Sequence, residues 1–400
     1  MEFRFSDEEE DLRRAVSDFT QKELTGKEFD RLESVPTYII KKMSDLGYFS
    51  LKIPGEYGGE SANWVDIGIL IEEIAKGDIG LAYFMMLSYE INLLLSTYGE
   101  KQIIEKWVPD LVNGRKLGCI SLTEPEVGCD LTAMTTVAVR DGDSYLISGE
   151  KCPVSFGMQA DFSIFFASTV NEGKTMGITS FFVPLDLPGV TRSPIATTGL
   201  LSSAPVSLIF DKMRIPIAYR LSKEGEGPDL NRRYGLFSDL SQILCALASL
   251  GLCQAALKLA ISYSKERAAF GRPIGQFQAV SGKIAEDATL IEAGRWLCYR
   301  ALWLKDQNLP NTGQAAMCAW WCPQNAYQII EDALLIHGHS GYSDDHPLQQ
   351  MLRDVLAFQM IAGTGQVLKL LIAEDVIGRV AIPKEMAGTV GWDVLVGNLR

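Results

Sequence analysis

The segment Thr135-Thr-Val-Ala-Val-Arg-Asp-Gly-Asp-Ser-Tyr-Leu-Ile-Ser148 holds two short runs of β-branched and apolar residues around the turn residues Asp141-Gly-Asp143. Such runs on both sides of an Asp-Gly pair are typical of a β-hairpin. Two later runs, Phe162-Ser-Ile-Phe-Phe-Ala167 and Thr179-Ser-Phe-Phe-Val183, have the same β-like composition. The sequence therefore predicts a small β region from about residue 117 to residue 215.

The chain on both sides of this β region has helical periodicity. Apolar residues recur at spacings of three and four from about residue 7 to residue 113. The same pattern returns from about residue 234 to residue 378, where it predicts four long helical segments. We therefore predict a mainly helical α+β fold. Its three domains are an N-terminal all-α domain (1–115), a middle β-barrel-like domain (116–230) and a C-terminal four-helix bundle (231–400).

Composition and charge exclude several classes of protein. The 400 residues are 47% hydrophobic and 22% charged, a composition that excludes a disordered or fibrous chain. The net charge is −13, and the 37 Lys and Arg residues are scattered, so a nucleic-acid-binding surface is not expected. Together these features predict an acidic globular protein.

Membrane insertion and secretion are not expected either. The uncharged apolar run from Ile243 to Cys253 has eleven residues, and a membrane-spanning helix needs roughly 18 to 20. The N-terminus, Met1-Glu-Phe-Arg-Phe-Ser-Asp-Glu-Glu-Glu10, is acidic where a secretory signal is basic and then apolar. The sequence therefore predicts a cytoplasmic protein without a membrane span.

Several common motifs for cofactors and metals are absent from the sequence. There is no Gly-x-Gly-x-x-Gly, phosphate-loop lysine or His-Glu-x-x-His motif. The eight cysteines form no Cys-x-x-Cys pair and are expected to be reduced core thiols. His337, His339 and His346 lie near Asp344 and Asp345, but zinc usually requires a tighter ligand set, so no metal site is predicted.

Four segments of the chain carry a resemblance to one enzyme family. They are Leu122-Thr-Glu-Pro-Glu-Val-Gly-Cys-Asp130, Glu266-Arg-Ala-Ala-Phe-Gly-Arg-Pro-Ile-Gly-Gln-Phe-Gln278, Gly338-His-Ser-Gly-Tyr342, and Leu352-Arg-Asp354 followed by Gly363-Thr364. In residues, order and spacing they resemble the flavin-dependent acyl-CoA dehydrogenases, over roughly residues 5 to 380. The resemblance implies that family's three-domain fold, FAD as cofactor, an acyl-CoA thioester as substrate and an electron-transfer flavoprotein as electron acceptor.

The resemblance also implies an assembly and a set of site residues. The assembly is a homotetramer (a dimer of dimers) or a homodimer, in which Arg267 and Phe270 of one subunit meet the FAD of its neighbour; an Arg fork suits a pyrophosphate. The implied cofactor-binding residues are Leu122, Thr123, Ser155, Arg267, Phe270, Gln278, Gly338, Thr364 and Gln366. The implied substrate-binding residues are Met86, Cys129, Asp239, Ser241, Gln242 and Ile361.

The catalytic base of the family is missing at both of its usual positions. These enzymes use a carboxylate to remove the α proton while a hydride leaves the β carbon for the flavin. The Glu that usually precedes Gly-Thr is here Ala362, which cannot accept a proton, although its backbone N–H can still polarise the thioester carbonyl. A minority of members place the Glu on the long helix after the sheet. That position is here Ser241, which is no base on its own.

Glu90 is the only charged residue between Asp78 and Glu100. A solvated helix would carry more charges, and the resemblance places this helix along the acyl pocket, with Met86 and Glu90 on one face. Burial raises the pKa of a carboxyl group toward the roughly 6 to 7 that suits a base at neutral pH. We therefore predict that Glu90 is the relocated base. The alternative is a structural carboxyl that caps the pocket floor or pairs with a buried Arg or Tyr.

Three functions remain open at this point. A base on another wall would take a proton from another carbon, which favours an unsaturated or cyclic acyl-CoA such as cyclohex-1-ene-1-carboxyl-CoA, converted by 1,4-elimination to a conjugated diene. Here the chain resembles the cyclohexene-carboxyl-CoA dehydrogenases. Cys129 and Gln242 replace the Ser and Arg that many members use on CoA, which leaves open an acyl or aminoacyl group on a carrier protein. Ala362 leaves open a catalytically inactive scaffold relative.

Overall fold

A computed structural model describes residues 4–27, 29–60, 62–227 and 238–378 of the chain. The predicted junction between the middle and C-terminal domains, at residues 230 and 231, lies outside the described residues, as does the chain after residue 378. Helices precede and follow one seven-stranded sheet. The predicted α+β fold, with N-terminal helices, a middle sheet and C-terminal helices, is confirmed.

Five α-helices form the described part of the N-terminal region, and side-chain caps fix the start of several of them. They are α1 (Asp7–Phe19), α2 (Thr37–Asp45), α3 (Trp64–Ala75), α4 (Ile79–Tyr98) and α5 (Lys101–Val112). Ser6 and Glu9 form a capping box at the start of α1. The Asp78 carboxylate accepts a hydrogen bond of 2.7 Å from the Leu81 N–H and thereby fixes the first turn of α4.

The middle of the chain forms a mixed sheet. Its strands are β1 (Gly118–Ser121), β2 (Val137–Asp141), β3 (Ser144–Val154), β4 (Phe162–Asn171), β5 (Lys174–Pro184), β6 (Val190–Pro194) and β7 (Val206–Pro216). β2 and β3 form the predicted hairpin, with Val137 opposite Ser148. β1 and β2 both pair in parallel with β4, and β5 pairs antiparallel with it. On the other side, β3 pairs with β7 and β7 with β6.

The C-terminal region differs from the prediction in one respect. Its helices are α6 (Ser238–Glu266), α7 (Gln278–Asp306), α8 (Thr312–His337), α9 (Pro347–Ala357) and α10 (Gly365–Ile377), and the short strands β8 (Ala268–Ala269) and β9 (Arg272–Pro273) pair between α6 and α7. The prediction of four helical segments is wrong for the last one, which is divided into α9 and α10. Ala362 and Gly363 have φ values of 60° and 114°, and this left-handed backbone cannot continue an α-helix.

Helices α4 and α6 lie in the core. Both are long and apolar enough to cross a membrane by length and composition alone. However, 83% of the most apolar window of α4 and 78% of that of α6 are buried inside the protein. Helix α6 packs against α3, α4, α7 and α8. The apolar composition of both helices is thus accounted for by the core they build.

Helices α3 and α6 approach closely at Gly251. A Cβ atom at this position would lie 2.2 Å from the backbone carbonyl oxygen of Glu72. The Glu72 side chain is buried and paired with Arg295 of α7 at 2.5 Å. Because the obstacle at Gly251 is the backbone of α3, a larger residue would have to move a whole helix.

We expect Gly251→Ala to lower the free energy of unfolding by about 1–3 kcal/mol, because the new methyl group overpacks the α3–α6 contact. Gly282→Ala in α7 is the matched control, since nothing lies within 4 Å of a Cβ atom there. It should instead stabilise the protein by about 0.5–1 kcal/mol through helix propensity. Urea unfolding of both variants measures the difference, and equal effects would contradict the close approach.

Candidate active site

Glu90 lies on α4 and is 1% exposed. Its Oε1 accepts a hydrogen bond of 2.5 Å from the Ser241 hydroxyl on α6. Burial raises the pKa of Glu90 to about 8, although the bond from Ser241 acts in the opposite direction. A carboxyl group with this pKa is mostly protonated at neutral pH, and it can exchange its proton near that pH.

The surroundings of Glu90 are apolar apart from a few neutral polar groups. Tyr83, Met86 and Glu90 lie on one face of α4, and all three are buried. On α6, the Cys245 thiol lies 3.6 Å from the Met86 sulfur. Burial raises the pKa values of both Cys245 and Tyr83, and a charge on Glu90 raises them further. Among the described residues, Ser241 is the recorded hydrogen-bond partner of Glu90, and no Arg or Tyr pairs with it.

The first turn of α6 joins Glu90 to the segment between α9 and α10. Gln242, the residue after Ser241, donates from Nε2 to the Ala362 carbonyl oxygen at 3.4 Å. No hydrogen bond to the Ala362 N–H is recorded within the described part of the chain. Ile361 packs partly buried against the core. The predicted residues Glu90, Ser241, Gln242, Ile361 and Ala362 thus come together around one helical turn, with Met86 beside Glu90.

A buried ion pair holds the loop that begins at Leu122. Lys151 Nζ lies 2.8 Å from a carboxylate oxygen of Glu124, and both side chains are inaccessible to solvent (0% and 1% exposed). Lys151 also donates to the Leu122 carbonyl oxygen at 2.9 Å, and the Cys152 N–H donates to the Thr123 carbonyl oxygen at 2.9 Å. These contacts fasten the predicted cofactor residues Leu122 and Thr123 to β3.

The protonation of this pair follows from its contacts. Burial opposes the charge on Glu124, but hydrogen bonds from Lys151, Thr135 and Thr136 outweigh it and lower the pKa of the carboxyl group to about 2. Burial lowers the pKa of Lys151 to about 8, and Glu124 opposes that shift. Glu124 is therefore a carboxylate that accepts four hydrogen bonds from three residues.

The other predicted cofactor residues form two groups. Ser155 follows β3 and is partly exposed, and Thr364 Oγ1 lies 4.0 Å from the Cys129 sulfur, which joins the loop after Leu122 to the start of α10. Gln366 is exposed in the first turn of α10. The second group is exposed on the β8–β9 turn and the adjoining helix ends, and consists of Arg267, Phe270 (96% exposed), Gln278 and Gly338. Its contact with a neighbouring subunit stays a prediction.

Asp239 is bound within the helical region. It is 1% exposed, and its Oδ2 accepts a hydrogen bond of 3.0 Å from the hydroxyl of Thr312 at the start of α8. This bond gives Asp239 a structural role at the base of α6. Its predicted contact with the substrate stays a prediction.

Sequence reasoning assigned no role to several residues of the site. These residues are Tyr83, Cys245, Glu124 and Lys151. The spacing of Tyr83 in the sequence indicates its place in the site, because it lies seven residues before Glu90 and therefore on the same helix face. No sequence pattern indicates the pairing of Lys151 with Glu124, since a charged residue in a strand usually faces solvent.

A cavity of about 730 Å³ lies elsewhere in the protein, between α1, α3, the second half of α6 and the start of α9. Its wall carries side chains of both signs, including Lys27, Lys76 and Lys258 with Glu73 and Asp345. None of the residues predicted for the cofactor or the substrate lines it. It is therefore separate from the candidate active site around Glu90.

Comparison with known proteins gives consistent results over most of the chain. Three family models match: "Acyl-CoA dehydrogenase, N-terminal domain" over residues 6–115, the corresponding middle domain over 119–213 and the C-terminal domain over 239–377. The probable acyl-CoA dehydrogenase YngJ of Bacillus subtilis (strain 168) is 32% identical over 384 residues, which cover 94% of this chain and 100% of that protein.

Two solved structures illustrate the likeness in fold. The glutaryl-coenzyme A dehydrogenase in complex with glutaryl-CoA is 31% identical, with a TM-score of 0.89 over 94% of this chain and 97% of that one. The prolyl acyl carrier protein oxidase AnaB is 27% identical, with a TM-score of 0.87 over 93% of this chain and 100% of that one. The chain is similar to both along nearly its whole length.

We expect Lys151→Met to lower the free energy of unfolding by about 3–5 kcal/mol, because it leaves the buried Glu124 carboxylate without its cation. Lys116→Met is the matched control. It removes the partner of Asp161 from an ion pair whose side chains are 40% and 30% exposed, and should cost at most about 1 kcal/mol. Urea unfolding tests both variants; a mild effect at Lys151 would mean that the pair does not fasten the loop.

Proposed function

The chain belongs to the acyl-CoA dehydrogenase family, and we propose that it oxidises an unsaturated or cyclic acyl-CoA thioester with Glu90 as the base. The protein is an FAD-dependent oxidoreductase. The hydrogen bond between Glu90 and Ser241 carries the proposal, because it brings a buried carboxyl group to the turn of α6 that also contacts Ala362.

The residues present fit FAD. Thr123, Ser155 and Thr364 offer three partly exposed hydroxyl groups, which can donate to and accept from the heteroatoms of a flavin ring. When bound, FAD accepts the hydride that leaves the substrate. The chain itself must bind the thioester, orient it, exclude water and move one proton.

The segment around Ala362 supplies a hydrogen-bond donor for the substrate. Its side chain cannot act as a base, but its N–H has no partner among the described residues. A backbone N–H aimed at the thioester oxygen stabilises the negative charge that develops there during proton removal. The bond from Gln242 to the Ala362 carbonyl oxygen steadies the orientation of this segment. Enolate stabilisation therefore survives the loss of the family's usual Glu.

Glu90 supplies the proton acceptor. Its pKa of about 8 is near the pH at which a general base works well. The Ser241 hydroxyl fixes one carboxylate oxygen at 2.5 Å, so the acid reaches the α6 position where a minority of the resembled family has its own Glu. The form of the structural alternative in which Glu90 pairs with a buried Arg or Tyr is not supported, because its hydrogen-bond partner among the described residues is a serine. A carboxyl that caps the pocket floor stays an alternative, which the Glu90→Gln experiment below tests.

The changed position of the base accounts for the proposed substrate class. In a cyclic α,β-unsaturated acyl-CoA, the Glu90 carboxylate takes a γ proton, and the C–H electron pair delocalises through the double bond into the thioester. The saturated ring carbon on the other side of the α carbon would then give up a hydride, for which bound FAD would be the acceptor. One proton and one hydride are lost, and the product is a conjugated diene such as cyclohexa-1,5-diene-1-carboxyl-CoA.

A second candidate is a thioester on a carrier protein. Gln242 stands where many relatives of the resembled type have an Arg for CoA, and its side chain is turned to Ala362. The carrier-protein oxidase AnaB shares the fold along nearly the whole chain.

We further propose an electron-transfer flavoprotein as electron acceptor, and a cytoplasmic homodimer or homotetramer in which Arg267 and Phe270 reach a neighbour's cofactor.

We expect Glu90→Gln to slow flavin reduction by the substrate about 10²- to 10⁴-fold, the usual contribution of a general base, while FAD stays bound. In the wild type, the reduction rate should rise with pH up to about 8, as the carboxylate forms. Stopped-flow bleaching of the flavin measures both effects.

Glu105→Gln, an exposed carboxyl on α5, is the control for this experiment and should leave the rate unchanged. Near wild-type reduction of Glu90→Gln would exclude Glu90 as the base. Bleaching by a free CoA thioester favours the first candidate, and bleaching by a carrier-bound thioester alone favours the second. If the purified protein contained no flavin, the catalytically inactive scaffold would remain as the third candidate function.

We expect Ala362→Glu to introduce α,β-dehydrogenation of a saturated acyl-CoA, because it returns a carboxylate to the family's usual position. Ala362→Gln is the matched control. Glutamine has nearly the same size as glutamate and must adopt the same left-handed backbone, but it cannot act as a base. Mass spectrometry of the products separates the two variants. Equal inactivity of both on saturated thioesters would show that the pocket does not admit the substrate in that orientation.

A further inference from the structure

Tyr83 connects the helix that carries Glu90 to the segment after β3. Its hydroxyl group donates a hydrogen bond of 3.1 Å to the Ser155 hydroxyl. The ring is buried and packs against Phe156 and Phe358, with ring centroids 5.4 Å and 5.7 Å away. Tyr83 is therefore held on two sides by aromatic rings and reaches a residue that the proposed function places at the flavin.

The direction of this hydrogen bond follows from the chemistry of the two groups. A phenol is more acidic than an aliphatic alcohol and is the better donor. Burial raises the pKa of Tyr83 well above its usual value, so the phenol stays protonated. The ionisable groups that act on it are Glu90 and Cys245, and both disfavour its ionisation further. Since Tyr83 donates, the Ser155 proton is left for an acceptor on the other side of Ser155.

The backbone near Ser155 is fixed as well. Phe156 has a φ of 59°, an unusual value for a residue with a side chain, and its N–H donates to the Ser203 carbonyl oxygen at 2.5 Å. With the main chain held in this way, the remaining freedom of Ser155 is the rotation of its side chain and hydroxyl. The bond from Tyr83 removes that freedom.

We propose that Tyr83 is a positioning residue that orients the Ser155 hydroxyl as a donor toward the oxidised flavin. The inference rests on the flavin contact of Ser155 in the proposed function. It also ties the base to the cofactor, because Tyr83 and Glu90 share a face of α4 and lie about 10 Å apart along the helix axis. One hydrogen bond thus fixes both a flavin contact and the helix that carries the acid.

The test is a double-mutant cycle read out by FAD affinity. Apoprotein of the wild type, Tyr83→Phe, Ser155→Ala and the double variant is titrated with FAD, and the absorption spectrum of the bound flavin is recorded. We expect Tyr83→Phe to weaken FAD binding roughly fivefold in the wild type, the usual effect of one lost hydrogen bond. In the Ser155→Ala background the same change should have almost no effect, because the partner is already absent.

Tyr89→Phe is the matched control. It removes a buried phenol from the same helix, but its hydroxyl donates to the Tyr48 carbonyl oxygen, away from the site. It should leave FAD affinity and the flavin spectrum unchanged, even if it lowers the melting temperature. A purely structural Tyr83 would behave in the same way.

The outcomes separate the inference from the proposal on which it rests. If Ser155→Ala weakens FAD binding and Tyr83→Phe does not, Tyr83 has no positioning role. If the two effects add fully in the double variant, the inference fails as well. If Ser155→Ala alters neither affinity nor spectrum, the flavin contact itself is wrong, and the inference falls with it.

Discussion

The buried ion pair between Lys151 and Glu124 is the constraint on which the loop with the predicted cofactor residues Leu122 and Thr123 depends. Two opposite charges without solvent access are stable only when each has several partners. Glu124 finds them in Thr135 and Thr136, and Lys151 in the Leu122 carbonyl oxygen. Because these partners belong to the loop after β1 and to the segment just before β2, satisfying the charges also determines the path of the loop.

The predicted substrate side of the site depends on the first turn of α6 in a comparable way. Ser241 holds Glu90 of α4, and the next residue, Gln242, holds the carbonyl of Ala362. Two segments that are far apart in the chain are thus aligned by adjacent residues of one rigid helix. In the proposed function, the proton acceptor and the group that polarises the thioester therefore keep a fixed relation to each other.

The sequence predicts the parts of this arrangement that depend on local patterns. The β2–β3 hairpin follows from the turn at Asp141-Gly-Asp143, and the burial of Glu90 follows from the absence of other charges on its helix. Contacts between distant segments leave no such pattern, and the bond from Tyr83 to Ser155 joins residues 72 positions apart. The break after α9 is also hidden, because alanine favours helices and Ala362 is held in left-handed backbone by its surroundings.

At Ala362, whose backbone is left-handed, the backbone N–H and the side chain can serve two independent functions. The direction of a peptide N–H is set by backbone angles, whereas acid–base chemistry belongs to the side chain. At this position the direction of the N–H can be retained while the acid–base group of the side chain is lost or replaced. A lineage could therefore exchange the group at residue 362 step by step without rebuilding its surroundings, which makes this position a natural starting point for directed evolution of new reactions.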